Sequence, residues 1–413
     1  MTAPFAPLVD PHADVFHQDP FPGYALLRDR SPVYIVEGEG WGIVSTMDLC
    51  REVLRDPGLF SNTRPQARRS DPPAEIAAEV AAIRAQGFDY RPALNLNDPP
   101  IHTRYRGLVN RAFTQRALAW MEPLVEEVAQ SLASGLPDGE VVDFVDAVAR
   151  PLPVWAILRI LGLPEERRDD VARWSDAATA SLGARMSPER WLSTERDMLD
   201  FQASIAAELD DRRDDPREDL LSYLVQPDGE WEPLTNGELV WLVRELIIAG
   251  NETTTRMLAE TVLRLDDASE PWDRILGDSS AIRPIVEEGL RISSPAFGLF
   301  RRVTRDTELG GVMLPEGLSL FLAYGSANRD EAYFADAGTF DPDRTNLREH
   351  LAFGRGIHVC VGAGLARIEA TATLQAIARN VVRLEVVDRD ALRYGPSFML
   401  RGLETLPVRV HRR

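Results

Sequence analysis

Residues 353–362 read Phe-Gly-Arg-Gly-Ile-His-Val-Cys-Val-Gly. They set Cys360, one of only two cysteines in the chain, at the end of a glycine-punctuated loop, immediately before a helix predicted to begin near Val361. A helix N-terminus offers unused N–H groups and a partial positive charge, and both favour thiolate over thiol. Gly354 and Gly356 let the loop turn sharply, and Gly362 and Gly364 leave room for something large and flat against the helix start. A thiolate held in this way is a good soft axial ligand for iron. The other thiol, Cys50, follows Leu49 in an ordinary amphipathic helix and reads as an inert, small apolar residue.

A second group with chemical potential is Ala249-Gly250-Asn251-Glu252-Thr253-Thr254. It lies inside the longest helical pattern of the chain, which opens on a capping box at Thr235-Asn236-Gly237-Glu238 and runs to about Leu265. Such a helix is roughly 45 Å long at 1.5 Å per residue. Glycine in a helix interior costs about 1 kcal/mol relative to alanine, so Gly250 asks for a reason. The Thr253 hydroxyl can bond back to the Ala249 carbonyl and locally open the helix, making room for a diatomic ligand and water. Further along, Glu288 and Arg291 stand at i and i+3 on one helix face, where they can pair.

Six specified positions within ten residues arise by chance in a chain of this length on the order of once in 10^5. The pattern Phe-Gly-x-Gly-x-His-x-Cys-x-Gly resembles the haem-ligating loop of the cytochrome P450 monooxygenases. The resemblance implies haem b with Cys360 as its thiolate ligand and Phe353 and His358 among the residues holding it. The Ala249–Thr254 segment is similar to the family's oxygen-activating helix, which implies that Glu252 and Thr253 deliver protons during oxygen activation, with O2 as co-substrate. Glu288 and Arg291 resemble the family's Glu-x-x-Arg pair, which with Arg344 locks the core behind the cysteine loop. Haem carries two propionates, and burying them unpaired is expensive. His102 and Arg106, four residues apart, together with Arg301, match the family's propionate ligands, and arginine suits charge-assisted bonds to carboxylates.

Placing these groups calls for a mostly helical chain with a small β component. Val33–Val36 and Trp41–Ser45 read as a hairpin, with a helix to follow through Leu49, Val53 and Leu54. Residues 62–100 read as irregular apart from a short helix within 73–86, and a long loop of this kind is usually functional. Apolar stripes at Leu108/Ala112/Phe113, Leu124/Val128/Leu132 and Val154/Ile157/Leu158/Leu161 predict helices. A last helix is predicted from about Val361 to Val382. With no internal repeat or linker, the 413 residues read as a single domain of cytochrome P450 fold, its long central helix over haem. Within it the resemblance assigns a substrate-access loop at about 62–96, the oxygen-activating helix at about 235–265 and the haem-thiolate loop at 353–362.

The chain carries 65 acidic and 46 basic residues, a net charge of -19, and every basic residue is arginine. Schiff-base and P-loop lysine chemistry are thereby excluded, and so acidic a surface repels nucleic acid and anionic lipid. Two cysteines cannot form a disulfide scaffold or a zinc finger, which suits a reducing, cytoplasmic setting. No signal sequence, membrane anchor or fused reductase is expected.

The expected function is insertion of one oxygen atom of O2 into a hydrophobic small molecule, with electrons from a ferredoxin or flavodoxin-type donor and its reductase. Arg104, Arg111 and Arg355 lie in segments where the family docks that donor. The resemblance draws the substrate pocket from the access loop, Glu245, Ile248, Ala249, Ala296, Phe297 and Phe398. Glu245 is unusual there: it either joins a polar network or orients an amine or hydroxyl of the substrate. A haem-thiolate peroxygenase, a haem-dependent isomerase or dehydratase, and a helical binding protein without haem are the alternatives.

Overall fold

The computed structural model describes residues 8–63, 72–180, 182, 186–227 and 232–413, apart from the side chains of residues 269–271. In chain order the helices that bear on function are α1 (Met47–Arg55), α2 (Ala77–Arg84), α3 (Ile101–Asn110), α4 (Gln115–Ser134), α5 (Pro151–Leu161), α6 (Arg168–Thr179), α7 (Pro188–Asp214), α8 (Asn236–Asp267), α9 (Ile282–Ser293) and α10 (Ala363–Asn380). Tertiary contacts divide the chain into two compact units. One comprises Met1–Ala67, Arg256–Cys360 and Arg383–Arg409, the other Arg68–Thr255, Val361–Val382 and Val410–Arg413.

The first unit holds the strands β1 (Val33–Val36), β2 (Trp41–Val44), β3 (Phe60–Ser61), β4 (Leu299–Val303), β5 (Thr307–Leu309), β6 (Val312–Leu314) and β7 (Ser319–Leu322). Five of them form a sheet in the order β1-β2-β7-β4-β3. The β1–β2 hairpin pairs Val33 with Val44 and Val36 with Trp41, and its turn needs Gly38 and Gly40 at positive φ, 76° and 68°. β2 pairs in parallel with β7, so the sheet is mixed. Met47, Cys50, Val53 and Leu54 form the buried face of α1, which shares a core with Val44, Leu320, Leu322, Tyr324 and Leu351. That core reaches from the sheet to the residue just ahead of the cysteine loop.

The second unit is a helical stack. In α5, Val154, Ile157, Leu158 and Leu161 are all buried, as the stripe requires. In α4 the buried row is Met121, Val125, Ala129 and Ala133, while Leu124, Val128 and Leu132 are only half-buried. The sequence stripe was one position out: at 3.6 residues per turn the neighbouring row serves as well, and the small residues of the true row carry a weaker apolar signal. Gly364 likewise has a different reason from the flat ligand expected of it. A Cβ there would lie 2.5 Å from Leu118, so the residue is small because α10 packs closely against α4.

Gly162 ends α5 at φ 73°, ψ 22°, and its carbonyl accepts from the fully buried Arg212. A Cβ at this position would fall 2.0 Å from the carboxylate of Asp219, itself paired with Arg212 at 3.1 Å. Gly162→Ala should therefore lower stability by about 2 kcal/mol or more through left-handed strain and collision together, read as a fall in the thermal midpoint. An unchanged midpoint would mean the turn relaxes freely.

Candidate functional site

In the first unit the cysteine loop is fastened along its backbone. Leu351 N–H donates to Asn328 Oδ1 at 2.7 Å, Gly354 N–H to Leu351 O at 2.9 Å and Cys360 N–H to Phe353 O at 2.9 Å. Gly354 and Gly356 adopt φ of 64° and 75°, and a Cβ on Gly356 would lie 2.8 Å from Leu54 O. His358 is half-buried in the short turn Gly356–His358, and Phe353 is half-buried as well. Cys360 itself is exposed. A closely held loop thus presents an exposed cysteine. Cys50 contrasts with it: fully buried, its thiol donating to Val44 O at 3.4 Å, and its pKa pushed well up by burial.

Behind the loop, Glu288 stands between two arginines. Arg291 reaches it through Nη2 at 2.6 Å and Nε at 2.7 Å, and Arg344 Nε approaches it at 3.2 Å. Arg291 also donates to the carbonyls of Asn328, Ala337 and Thr339 at 2.6–3.0 Å. Helical spacing supplies the i,i+3 pair, while the carbonyls come from loops 37 to 48 residues away.

Arg301 on β4 is 4% exposed, and its Nη1 donates to Phe300 O at 2.7 Å. No carboxylate pairs with it among the described residues. The Tyr324 hydroxyl is buried beside it without a well-formed hydrogen bond among the described residues, its pKa raised by burial and pulled back by the guanidinium. A buried guanidinium and a buried hydroxyl without an anion suit a ligand that brings its own carboxylate.

In the second unit α8 opens on the expected capping box. Thr235 N–H donates to Glu238 Oε2 at 2.8 Å and Glu238 N–H to Thr235 Oγ1 at 3.3 Å. The Thr253 hydroxyl bonds the Ala249 carbonyl at 2.8 Å, yet the helix continues unbroken through this point, so the expected opening is absent. A Cβ on Gly250 would meet Ile157 at 3.5 Å, an ordinary contact, so packing within the protein does not demand glycine there. Ala249 is exposed and Ile248 half-buried, whereas Leu246 and Ile247 are buried, so the helix surface is bare at position 249. Glu252 is half-buried, with the Ser175 hydroxyl of α6 at 3.5 Å.

Glu245 pairs with Arg244 at 3.2 Å, and Arg244 in turn donates to Ala178 O at 2.9 Å. His102 on α3 is 4% exposed, its pKa held down by burial and by Arg106 one turn on, against the pull of Asp98. Arg106 Nε donates to Asn110 Oδ1 at 3.0 Å.

Glu369 on α10 escaped the sequence reading. It is 1% exposed, and burial pushes its carboxyl up to about 8, partly offset by a bond from the Thr254 hydroxyl. The available signal was an acid at i+4 from buried Leu365 within a small, apolar helix. An acid raised in the fold binds its proton more tightly than in the unfolded chain. Stability should therefore fall as pH rises from about 4.5 to 8, by up to ~1.4 kcal/mol per unit. Glu369→Gln should flatten that slope in denaturant titrations, and an unchanged slope would place the ionisation elsewhere.

Two expectations need correction, those for Arg104 and Phe297. The Arg104 guanidinium is committed to Pro233 O at 2.7 Å, Glu232 O at 3.0 Å and Glu238 at 3.7 Å, and so is not a free docking charge. Arg111 stacks over Tyr223 at 4.7 Å but remains exposed, as does Arg355. Phe297 is 2% exposed, packed against Phe21 and Tyr24 and seated over Gly325, where a Cβ would come within 2.2 Å of its ring. That side chain belongs to the core, and with Phe398 it borders a water-sized recess. Phe398 stacks on Trp41 at 5.5 Å, and Ala296 is half-buried in a bridge to Leu400.

Residues 64–71 of the 62–96 loop lie outside the described residues. The remainder is tied down: Trp241 Nε1 donates to Asp89 O at 2.8 Å, Phe88 N–H to Gln202 at 2.7 Å, and Arg196 of α7 pairs with Glu79 of α2 at 2.9 Å.

Residues 281–388 match the sequence profile described as Cytochrome P450. Cytochrome P450 107B1 of Saccharopolyspora erythraea is 33% identical over 405 residues, 96% of each chain. Vitamin D(3) 25-hydroxylase of Pseudonocardia autotrophica is 33% identical over 412 residues, 97% of this chain and 96% of that one. The solved structure of CYP109Q5 from Chondromyces apiculatus superposes with a TM-score of 0.84 at 33% identity, covering 98% of both chains.

Proposed function

The chain belongs to the cytochrome P450 family, whose bacterial monooxygenases resemble it along nearly its whole length, and from that premise we propose that Cys360 is its haem-iron ligand and that it oxidises a hydrophobic small molecule. The observation that carries this reading is the exposed Cys360 in a loop whose backbone is closely bonded. The residues fit the cofactor: buried Arg301, with Tyr324 beside it, supplies charge for a propionate, and the pair of His102 and Arg106 supplies another donor set. His358 and Phe353 complete the holding residues. Bound haem supplies the iron chemistry that splits dioxygen, favoured by electron donation from a thiolate.

The protein's own contribution is to hold protons and exclude water. Thr253 keeps its hydroxyl at the Ala249 carbonyl, where it can pass on a proton, and Glu252 beside Ser175 relays protons to it. Ala249, with no side chain beyond Cβ, leaves the helix face open for small reactants. Glu288, Arg291 and Arg344 keep the loop's support rigid.

We assign electron supply to a ferredoxin or flavodoxin-type donor in the cytoplasm, with Arg111 and Arg355 as exposed attracting charges. No helix among the described residues is long and apolar enough to cross a membrane. The residues that the family resemblance assigns to the substrate, Ile248, Ala249, Ala296 and Phe398, are all apolar, which supports a hydrophobic substrate, as does the name of the vitamin D(3) hydroxylase relative. Glu245, already paired with Arg244, serves a polar network rather than the substrate. Glu245→Gln should accordingly leave substrate affinity within about twofold by spin-state titration, a tenfold loss (~1.4 kcal/mol) pointing to a substrate amine or hydroxyl instead.

The decisive experiment is the absorption spectrum of the reduced, CO-treated protein. A strongly red-shifted Soret band is expected, and its absence would defeat the thiolate assignment. Turnover with a ferredoxin system but not with peroxide, or with no added electrons, then separates the monooxygenase from a peroxygenase and from an isomerase or dehydratase.

A further inference from the structure

His350 is 7% exposed and lies ahead of the cysteine loop, outside every role assigned above. Its Nδ1 accepts the N–H of Ala352 at 3.2 Å, and its Nε2 faces Glu287 Oε2 of α9 at 3.2 Å. A backbone N–H can only donate, so Nδ1 is deprotonated and the ring proton sits on Nε2, pointing at the carboxylate. Glu287 therefore selects the tautomer that the turn requires. The consequences run down the chain: Ala352 precedes Phe353, whose ring lies 6.0 Å from the His350 ring and whose carbonyl accepts Cys360 N–H at 2.9 Å. Asn328 holds the adjacent Leu351 N–H at 2.7 Å, so two side chains clamp two successive amides at the start of the loop.

We propose that His350 is a positioning residue for the Cys360 sulfur, acting through the Ala352 turn in a tautomer fixed by Glu287. The inference rests on the haem-thiolate reading above. The roles of the two ring nitrogens can be separated, because asparagine retains an acceptor near Nδ1 able to close the same i→i+2 turn, whereas glutamine retains a donor near Nε2 but misplaces the acceptor.

The test uses holoenzyme, comparing the red-shifted and unshifted Soret bands of the reduced, CO-treated protein alongside the thermal midpoint. His350→Asn is expected to keep the wild-type band ratio. His350→Gln is expected to raise the unshifted fraction about fivefold, the leverage of one hydrogen bond on an equilibrium. A wild-type ratio in the Gln variant, or equal losses in both variants, would overturn the proposal. If either variant fails to fold, 15N NMR of histidine-labelled wild-type protein in the same reduced, CO-bound state decides. Neutral His350 with its proton on Nε2 supports the proposal, and a proton on Nδ1 overturns it. Wild-type protein without any red-shifted band would fail the thiolate reading first, and this inference with it.

Discussion

Cys360→Ser is expected to abolish the red-shifted CO band and to cut turnover by on the order of 10^3 or more, equivalent to ~4 kcal/mol of lost transition-state stabilisation. Serine matches the shape of cysteine, so the loop bonds from Cys360 N–H to Phe353 O and from Gly354 N–H to Leu351 O should survive. What is lost is a soft anionic sulfur, and a neutral hydroxyl neither binds iron comparably nor donates electron density to it. Because Cys360 is exposed, the thermal midpoint of the haem-free protein should move little. Cys50→Ser provides the opposite control. Its site is fully buried, with an acceptor at Val44 O, so a modest stability change with an intact spectrum is expected. Oxidation that persists in the Cys360 variant, or a spectrum lost in the Cys50 variant, would move the chemistry away from position 360.

The second large effect concerns Glu288. Its side chain is fully buried, and it is the carboxylate that both Arg291 and Arg344 face. Removing it leaves the Arg291 guanidinium inside the protein with carbonyl partners alone, and breaking a buried pair from one side costs about 3–5 kcal/mol. That is a large share of the ~5–15 kcal/mol by which ordinary domains are stable. Glu288→Ala should therefore give little folded protein or a strongly lowered thermal midpoint. Glu288→Gln, which keeps the shape and one acceptor oxygen, should lose less. Arg291→Lys should fall between them: it restores a charge but cannot reach Glu288 and three carbonyls at once. If Glu288→Ala were as stable as wild type, the cluster would not be what supports the loop, and the structural role given to Arg291 and Arg344 would fall with it.

What could be read from the chain alone is what depends on near neighbours in sequence. The loop at 353–360, the capping box of Thr235 and Glu238, the Thr253 bond to Ala249 and the Glu288–Arg291 pair each close within ten residues. Backbone geometry makes such contacts nearly automatic once helix or turn is specified. Helix placement was legible for the same reason: α8 and α10 lie within a few residues of their expected ends, and α1 spans Leu49, Val53 and Leu54 as expected. Tertiary structure alone decided which face of each element found cover and which charges found partners. The buried row of α4 is set by neighbouring helices, Arg104 is claimed by carbonyls 128 and 129 residues away, and Phe297 is drawn into the core by Phe21, Tyr24 and Gly325. The raised carboxyl of Glu369 and the tautomer of His350 also depend on burial and on Thr254 and Glu287, partners contributed by other helices. A side chain's charge, pKa and accessibility are properties of its surroundings, and those surroundings come into being only when distant segments pack.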